Sequence, residues 1–336
     1  MTGPGSPAIL SRRAVGMLAA ALALAVGIPA ASGYQLIRGR SFVWADGLRP
    51  VGYWVANVAD DSMTVDEVVA ETRAAFDTWT APEEVGLSFS YRGKTNQRPF
   101  EFFDRTNAVG FTSREQLAEF GLSDATLAVT SWLTIIETGV IAEADIIINP
   151  AYGWTDTPGE GGWDYRSTMI HEVGHFLGLG HSGVGRQSEG SLVAGSSVMW
   201  PYGFGSGTAL GRELTADDIT GAAVLYPGAT APTGTIQGAV RRATGEAVRY
   251  AHVVAYEPVL DHTVGGWADG EGNYEIAGLP DGRYVLRVNP IPQGHSATTY
   301  FFPFGQADTD FSVTVHPRLV VVSEGGTTEV SLEVSQ

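Results

Sequence analysis

The clearest chemistry in the chain lies in one run, His171-Glu-Val-Gly-His175-Phe-Leu-Gly178-Leu-Gly-His181. Residues four apart on a helix lie one turn apart on one face, so His171 and His175 can reach the same metal ion. Glu172 sits beside the first of them, placed to contact a water rather than the metal. Gly178 stands where the helix must stop and the chain reverse, a left-handed position that suits glycine. His181 then returns as a third ligand. Three imidazoles with a fourth position open are the donor set of a catalytic zinc site, whereas a structural site is closed by four ligands. Three unrelated histidines on an amphipathic helix would fall into the full pattern in about one chain of this composition in 10⁵.

The other potential ligands are few. Of seven histidines only these three precede residue 228, and His252, His262, His295 and His316 repeat no ligand spacing. The absence of cysteine removes thiolate metal sites, disulfides and cysteine nucleophiles. Asp156, Glu160 and Asp164 fall in a glycine-rich stretch and could give calcium its hard oxygen ligands; a solvated acidic loop is the competing reading. Asp269, Glu271, Asn273 and Glu275 also alternate, but Asp-Gly-Glu-Gly-Asn is the composition of a hairpin turn.

Positioning these groups requires both helices and strands. Thr64 and Glu67 form a capping-box pattern ahead of apolar residues at helical spacing through Trp79. A second helix is expected over 166–177, carrying the first two histidines, and a third, opened by Thr215 and Asp218, to 226. Strands are expected at 87–91, 127–133 and 144–149. One of the last two should be the edge that pairs with an extended ligand, and the pattern does not separate them. After the uncharged stretch Pro227-Gly-Ala-Thr-Ala-Pro-Thr-Gly234 the texture changes to short strands alone, at 235–241, 251–256, 274–276, 284–288, 311–315, 319–322 and 328–334. About seven strands in about 100 residues suggest a β-sandwich.

The N-terminus has the parts of an export signal. Arg12 and Arg13 precede an apolar run over 14–31, and Ala30, Ala31, Ser32 and Gly33 offer cleavage positions. The expected layout is a signal peptide at 1–33, a catalytic domain at 34–227, a linker at 228–233 and a sandwich at 234–336. With 37 acidic against 20 basic residues the net charge is −17, which disfavours nucleic acid and anionic lipid as partners. No membrane attachment is expected after signal cleavage.

The run 171–181 resembles the signature of the metzincin clan of zinc metallopeptidases. Ser197-Val-Met199-Trp-Pro201-Tyr202 resembles the clan's methionine turn, and its Met-x-Pro form is similar to the matrixin branch of short, prokaryotic type. In astacin- and serralysin-like relatives a tyrosine two residues after the methionine can approach the metal. Here Pro201 holds that position, so Tyr202 is not counted as a ligand, and both are assigned to the substrate pocket. Val51-Gly-Tyr-Trp-Val55, Ala75-Phe-Asp-Thr-Trp79, Glu143-Ala-Asp-Ile146, Leu214-Thr-Ala-Asp-Asp-Ile219 and Leu225-Tyr-Pro227 extend the resemblance over 34–227. It implies an α+β metzincin-type domain with a twisted mixed sheet and about three helices. It further implies one zinc ion on His171, His175 and His181, Glu172 as general base, Met199 beneath the metal, and a protein or peptide substrate. Many matrixins are kept latent by a propeptide cysteine, a device impossible in a chain without cysteine.

Gly234-Thr-Ile-Gln-Gly-Ala-Val240 and Gly278-Leu-Pro-Asp-Gly-Arg-Tyr284 resemble the carboxypeptidase regulatory-like family, small transthyretin- or immunoglobulin-like sandwiches attached to secreted enzymes. Such a module could bind substrate or a cell surface, or stabilise the enzyme. The combined expectation is a secreted zinc endopeptidase acting on extracellular proteins. The alternative is a non-catalytic secreted binding or adhesion protein that retains a zinc-stabilised fold.

Overall fold

The computed structural model describes residues 41–336 except 100, 102, 120–124, 160, 186, 189–190, 193–195, 292–296 and 301–305. The export-signal reading of 1–33 and Glu160 therefore lie outside the described residues.

The first body is built on five strands: β1 (Val51–Ala56), β2 (Phe89–Thr95), β3 (Ala108–Phe111), β4 (Ala128–Ile135) and β5 (Val140–Ile148). Their order is β2-β1-β3-β5-β4, with the first four parallel and β4 antiparallel to β5. β5 is therefore internal, and its Ala144-Asp-Ile-Ile-Ile148 stretch is wholly buried, as expected for a strand covered on both faces. β4 is the edge, which settles the choice between 127–133 and 144–149 in favour of the former.

Two longer helices, α1 (Val65–Thr80) and α3 (Tyr165–Leu177), pack on the sheet; a short α2 (Arg114–Glu119) lies between β3 and β4, and α4 (Ala216–Leu225) packs on α3 and against the second body. The Thr64–Glu67 capping box closes reciprocally, Glu67 N–H donating to Thr64 Oγ1 at 3.3 Å and Thr64 N–H to Glu67 Oε2 at 2.7 Å. α1 packs on α3 through Phe76, Trp79 and Phe176, all buried. Each such side chain contributes ~1.5–3 kcal/mol by leaving water. Two indoles also fix α3 in place: Trp79 Nε1 donates to Ile170 O (2.8 Å) and Trp44 Nε1 to Phe176 O (2.9 Å). Each satisfies its own polar atom while the ring is buried.

Among the described residues the second body is all-β apart from one helical turn. It comprises β6 (Gly234–Arg242), β7 (His252–Glu257), β8 (His262–Trp267), β9 (Asn273–Leu279), β10 (Gly282–Asn289), α5 (Ala297–Tyr300), β11 (Thr314–Val315), β12 (Val320–Val322), β13 (Thr327–Glu329) and β14 (Leu332–Val334). One sheet runs β9-β6-β13 with β14 also on β6; the other runs β8-β7-β10-β11 with β12 also on β10. The inner faces alternate, as in β10, where Tyr284, Leu286 and Val288 are buried and Arg283 and Arg287 are not. These residues share a core with Ile236, Val253 and Tyr274 that is separate from the core of the first body. β8, which is not among the strands expected from the sequence, pairs along its whole length with β7 despite Gly265 and Gly266.

Candidate metal centre

α3 carries the first two histidines, and its ends explain its length. Asp164 caps it, accepting from Ser167 N at 2.7 Å. At the other end Gly178 takes φ +110°, and Gly178 N–H and Leu179 N–H return to His175 O and Gly174 O. A side chain there would be strained and would place a Cβ 2.3 Å from Phe42 O. The turn sends the chain back, and His181 joins His171 and His175. The candidate ligand atoms of the three lie within 4.8 Å of one another, and they form the metal-competent cluster of the described residues.

The orientation of each ring follows from one proton. His171 Nδ1 lies 2.7 Å from Val198 O, His175 Nδ1 2.8 Å from Leu179 O, and His181 Nδ1 2.7 Å from Thr299 O. A carbonyl only accepts, so each Nδ1 carries the hydrogen and donates it. Every Nε2 is thereby left with a free lone pair, the form a metal requires. Burial reinforces this by disfavouring the imidazolium: it lowers His171 to about 3, His175 well below the usual histidine range, and His181 in the same direction. Three converging neutral donors fit zinc, and the cleft beside them leaves room for a further ligand.

Glu172 is buried, with Oε2 accepting from Thr130 Oγ1 at 2.6 Å. Burial pushes its carboxyl up to about 7, and the Thr130 hydroxyl partly offsets this. Thr130 belongs to β4, whose Trp132 also donates its Nε1 to His175 O at 2.8 Å. The edge strand is thus tied directly to the ligand helix. Between them opens a cleft of about 760 Å³ whose lining includes β4, Glu172, the three histidines, Pro201 and Tyr202.

Met199 is buried, with Sδ where a Cβ on Gly174 would stand at only 2.2 Å, so glycine inside the histidine run lets the methionine sit against α3. The turn around it is held by a residue that the sequence reading used only as a helix cap. Asp218 accepts from Thr215 N (2.8 Å) and Thr215 Oγ1 (2.7 Å), but also from Ser197 Oγ (2.5 Å) and Val198 N (3.0 Å). Val198 supplies the carbonyl that orients His171, so Asp218 acts on the first ligand at one remove. The cap was visible; nothing in a lone aspartate announced the second task.

The calcium reading gains no support. Asp164 has its oxygens on Ser167 N and on Arg212, whose Nη2 lies 2.5 Å from Oδ2. Arg212 also donates to Asp156 O at 2.8 Å, so a guanidinium stands between the two acidic residues. Asp269 is a hairpin residue, accepting from Glu271 N and Asn273 N.

Three histidines fit to hold zinc, carried by a helix and the turn after it beside an edge strand and a buried methionine, are the arrangement of the zinc metallopeptidase class. The Matrixin family matches residues 44–227, and the chain belongs to it. Residues 235–335 match the carboxypeptidase regulatory-like domain. No curated protein matches. Among solved structures, a candidate carbohydrate binding protein from Bacteroides uniformis shares 17% identity over 30% of this chain and 40% of its own, with a TM-score of 0.21. The TIE protein of Bacillus anthracis shares 18% over 31% of this chain and 16% of its own, also at 0.21. Among the described residues no helix is long and apolar enough to cross a membrane.

Proposed function

We propose that this matrixin is a secreted endopeptidase that holds an extended peptide along the free edge of β4 and hydrolyses it at the histidine centre. The observation that carries the reading is the meeting of three imidazoles, each oriented by a carbonyl, with a buried carboxylate on the wall of a cleft bounded by β4, the outermost strand of its sheet among the described residues. Zinc bound there supplies a Lewis acid that polarises the peptide carbonyl and acidifies water.

The remaining work falls to the chain. Backbone groups of β4 pair with the substrate in β fashion and set its direction. Glu172 removes the proton of the attacking water at a carboxylate oxygen and delivers it to the leaving amine nitrogen. A carboxyl held near neutrality by burial does both at little cost. Thr130 keeps that carboxylate on the strand side of the cleft. Secretion rests on the basic, apolar and small-residue parts of 1–33. Extracellular proteins are the substrates we assign.

Glu172→Gln separates this reading from a zinc-stabilised binding protein. The variant should take up one zinc per chain and lose about 10³-fold or more in kcat on casein or a peptide library, beyond the usual 10²–10⁴ range of general acid–base help only if other groups fail too. Equal cleavage by variant and wild type defeats the mechanism. A zinc-loaded wild type that cleaves no peptide at any salt or calcium concentration defeats the enzymatic reading itself.

A further inference from the structure

Two of the three ligands find their orienting carbonyl in the first body, at Val198 and Leu179. The third does not. His181 donates to Thr299 O, 118 residues further on, in the α5 turn of the sandwich. Thr299 and Tyr300 also line the same cleft as Glu172 and His171.

This contact is anchored. Tyr300 is buried and its ring lies 4.7 Å from that of Trp267 on β8; Trp267 lies 4.5 Å from His252 on β7. That aromatic stack presses directly on the chain just past His181: a Cβ on Gly183 would stand 2.6 Å from Trp267 and 2.8 Å from His252. Alongside it, Gly265 N on β8 donates to Asp217 Oδ1 at 2.8 Å, while Asp217 Oδ2 accepts from Ser182 Oγ at 2.6 Å. Ser182 N in turn donates to Met199 O at 2.8 Å. The sandwich is therefore joined by packing and by hydrogen bonds to both residues that follow His181 and, through them, to the methionine turn.

We propose that the carboxypeptidase regulatory-like domain is a working part of the peptidase: the Thr299 carbonyl is a positioning group that fixes His181 as a metal ligand, and Tyr300 is a wall of the cleft that helps choose the substrate. The physical reason is the tautomer. An imidazole without a partner for Nδ1 can carry its hydrogen on either nitrogen and can rotate, and both freedoms weaken it as a ligand through Nε2. The loss of such an outer partner typically costs 10–100-fold in metal affinity. The substrate that the wall selects is a peptide, so the second half of the proposal rests on the function proposed above; the first half does not.

The test uses the full-length protein. Deleting Ala297–Tyr300 should weaken Zn²⁺ binding 10–100-fold in competition with a chelator, and it should change the visible absorption spectrum of the Co²⁺-substituted protein, which reports ligand geometry. Tyr300→Ala should shift the cleavage profile on a mixed peptide library and raise KM more than it lowers kcat, and Tyr300→Phe should restore both. Circular dichroism and the unfolding temperature establish that each variant folds; if the deletion does not fold, Tyr300→Ala and Tyr300→Phe carry the test through the Co²⁺ spectrum and the cleavage profile. Unchanged Zn²⁺ affinity and Co²⁺ spectrum in the folded deletion overturn the positioning role. Faster cleavage with unchanged metal binding also overturns the proposal, since the segment would then be a plug. A protein that binds zinc normally but cleaves nothing removes the enzymatic reading while leaving the Thr299 result interpretable.

Discussion

The metal centre has two halves that are built differently. His171 and His175 are held by one helix, and their carbonyl partners, Val198 and Leu179, lie within the first body. His181 stands past the helix on the reversed chain and borrows its partner from the second body. The helix-borne half is the more rigid because both Cα atoms sit on the 13 residues of α3, largely buried, and both rings are held by carbonyls of the same body. The other half depends on how two separately cored bodies dock. Affinity for the metal is thus set by local geometry, and its fine adjustment by the interface.

That contrast can be broken most severely at the helix. His175→Ala removes a direct ligand from the rigid half and should lower Zn²⁺ affinity by well over about 100-fold, beyond the range for an outer partner. Isothermal titration with Zn²⁺ measures it. A loss no greater than that caused by deleting Ala297–Tyr300 would mean that the two halves are equivalent and the contrast is false.

The next effect lies between the halves, at the methionine turn. Asp218→Ala leaves Ser197 Oγ, Val198 N and the start of α4 without their shared acceptor, all of them buried or partly buried. A buried neutral donor left without its acceptor costs about 1–3 kcal/mol. Denaturant unfolding should show that loss. Zinc affinity should fall as well, because the Val198 carbonyl partners His171. Asp218→Asn keeps an oxygen for one set of donors and should lose less.

These experiments also mark the line between what sequence reasoning could and could not reach. The ligand set was legible because it is written on one helix and one glycine turn, where spacing translates directly into direction. Capping residues Thr64 and Thr215 likewise placed two helices to within a residue. β3 was not foreseen, since Ala108-Val-Gly-Phe111 is a short run buried on both faces with no alternation to read. β8 was not expected either: Gly265 and Gly266 give it little strand propensity, and its pairing depends on β7 lining up beside it. The Thr299 contact left no trace at all. Every residue carries a carbonyl, and only the docked fold brings that one to His181.

The smallest expected effect tests the docking itself and has a sign set by protonation. Asp217 is buried at the junction, accepting from Ser182 Oγ and Gly265 N. Burial, and then the neighbouring Asp218 charge, push its carboxyl from 3.8 up to about 7. Below about pH 4 the folded and unfolded chains both hold this proton. Between about 4 and 7 the folded chain still binds it and the unfolded chain does not, so stability falls as pH rises and levels off once the folded group ionises. Asn mimics the neutral acid at every pH. Asp217→Asn should therefore gain on the wild type in unfolding temperature as pH rises from about 4 to 8, by ~2–4 °C for each kcal/mol that ionising the buried acid costs the wild type. Asp218 and Glu172 are raised too, and the buried histidines are lowered and act with the opposite sign, so the readout is the difference between variant and wild type at each pH. A variant whose difference from the wild type does not grow between pH 4 and 8, or that is less stable at pH 8, would show that the junction holds Asp217 as a charged acceptor. The interface would then favour high pH, and the borrowed half of the centre would tighten under the conditions where the present geometry has it loosen.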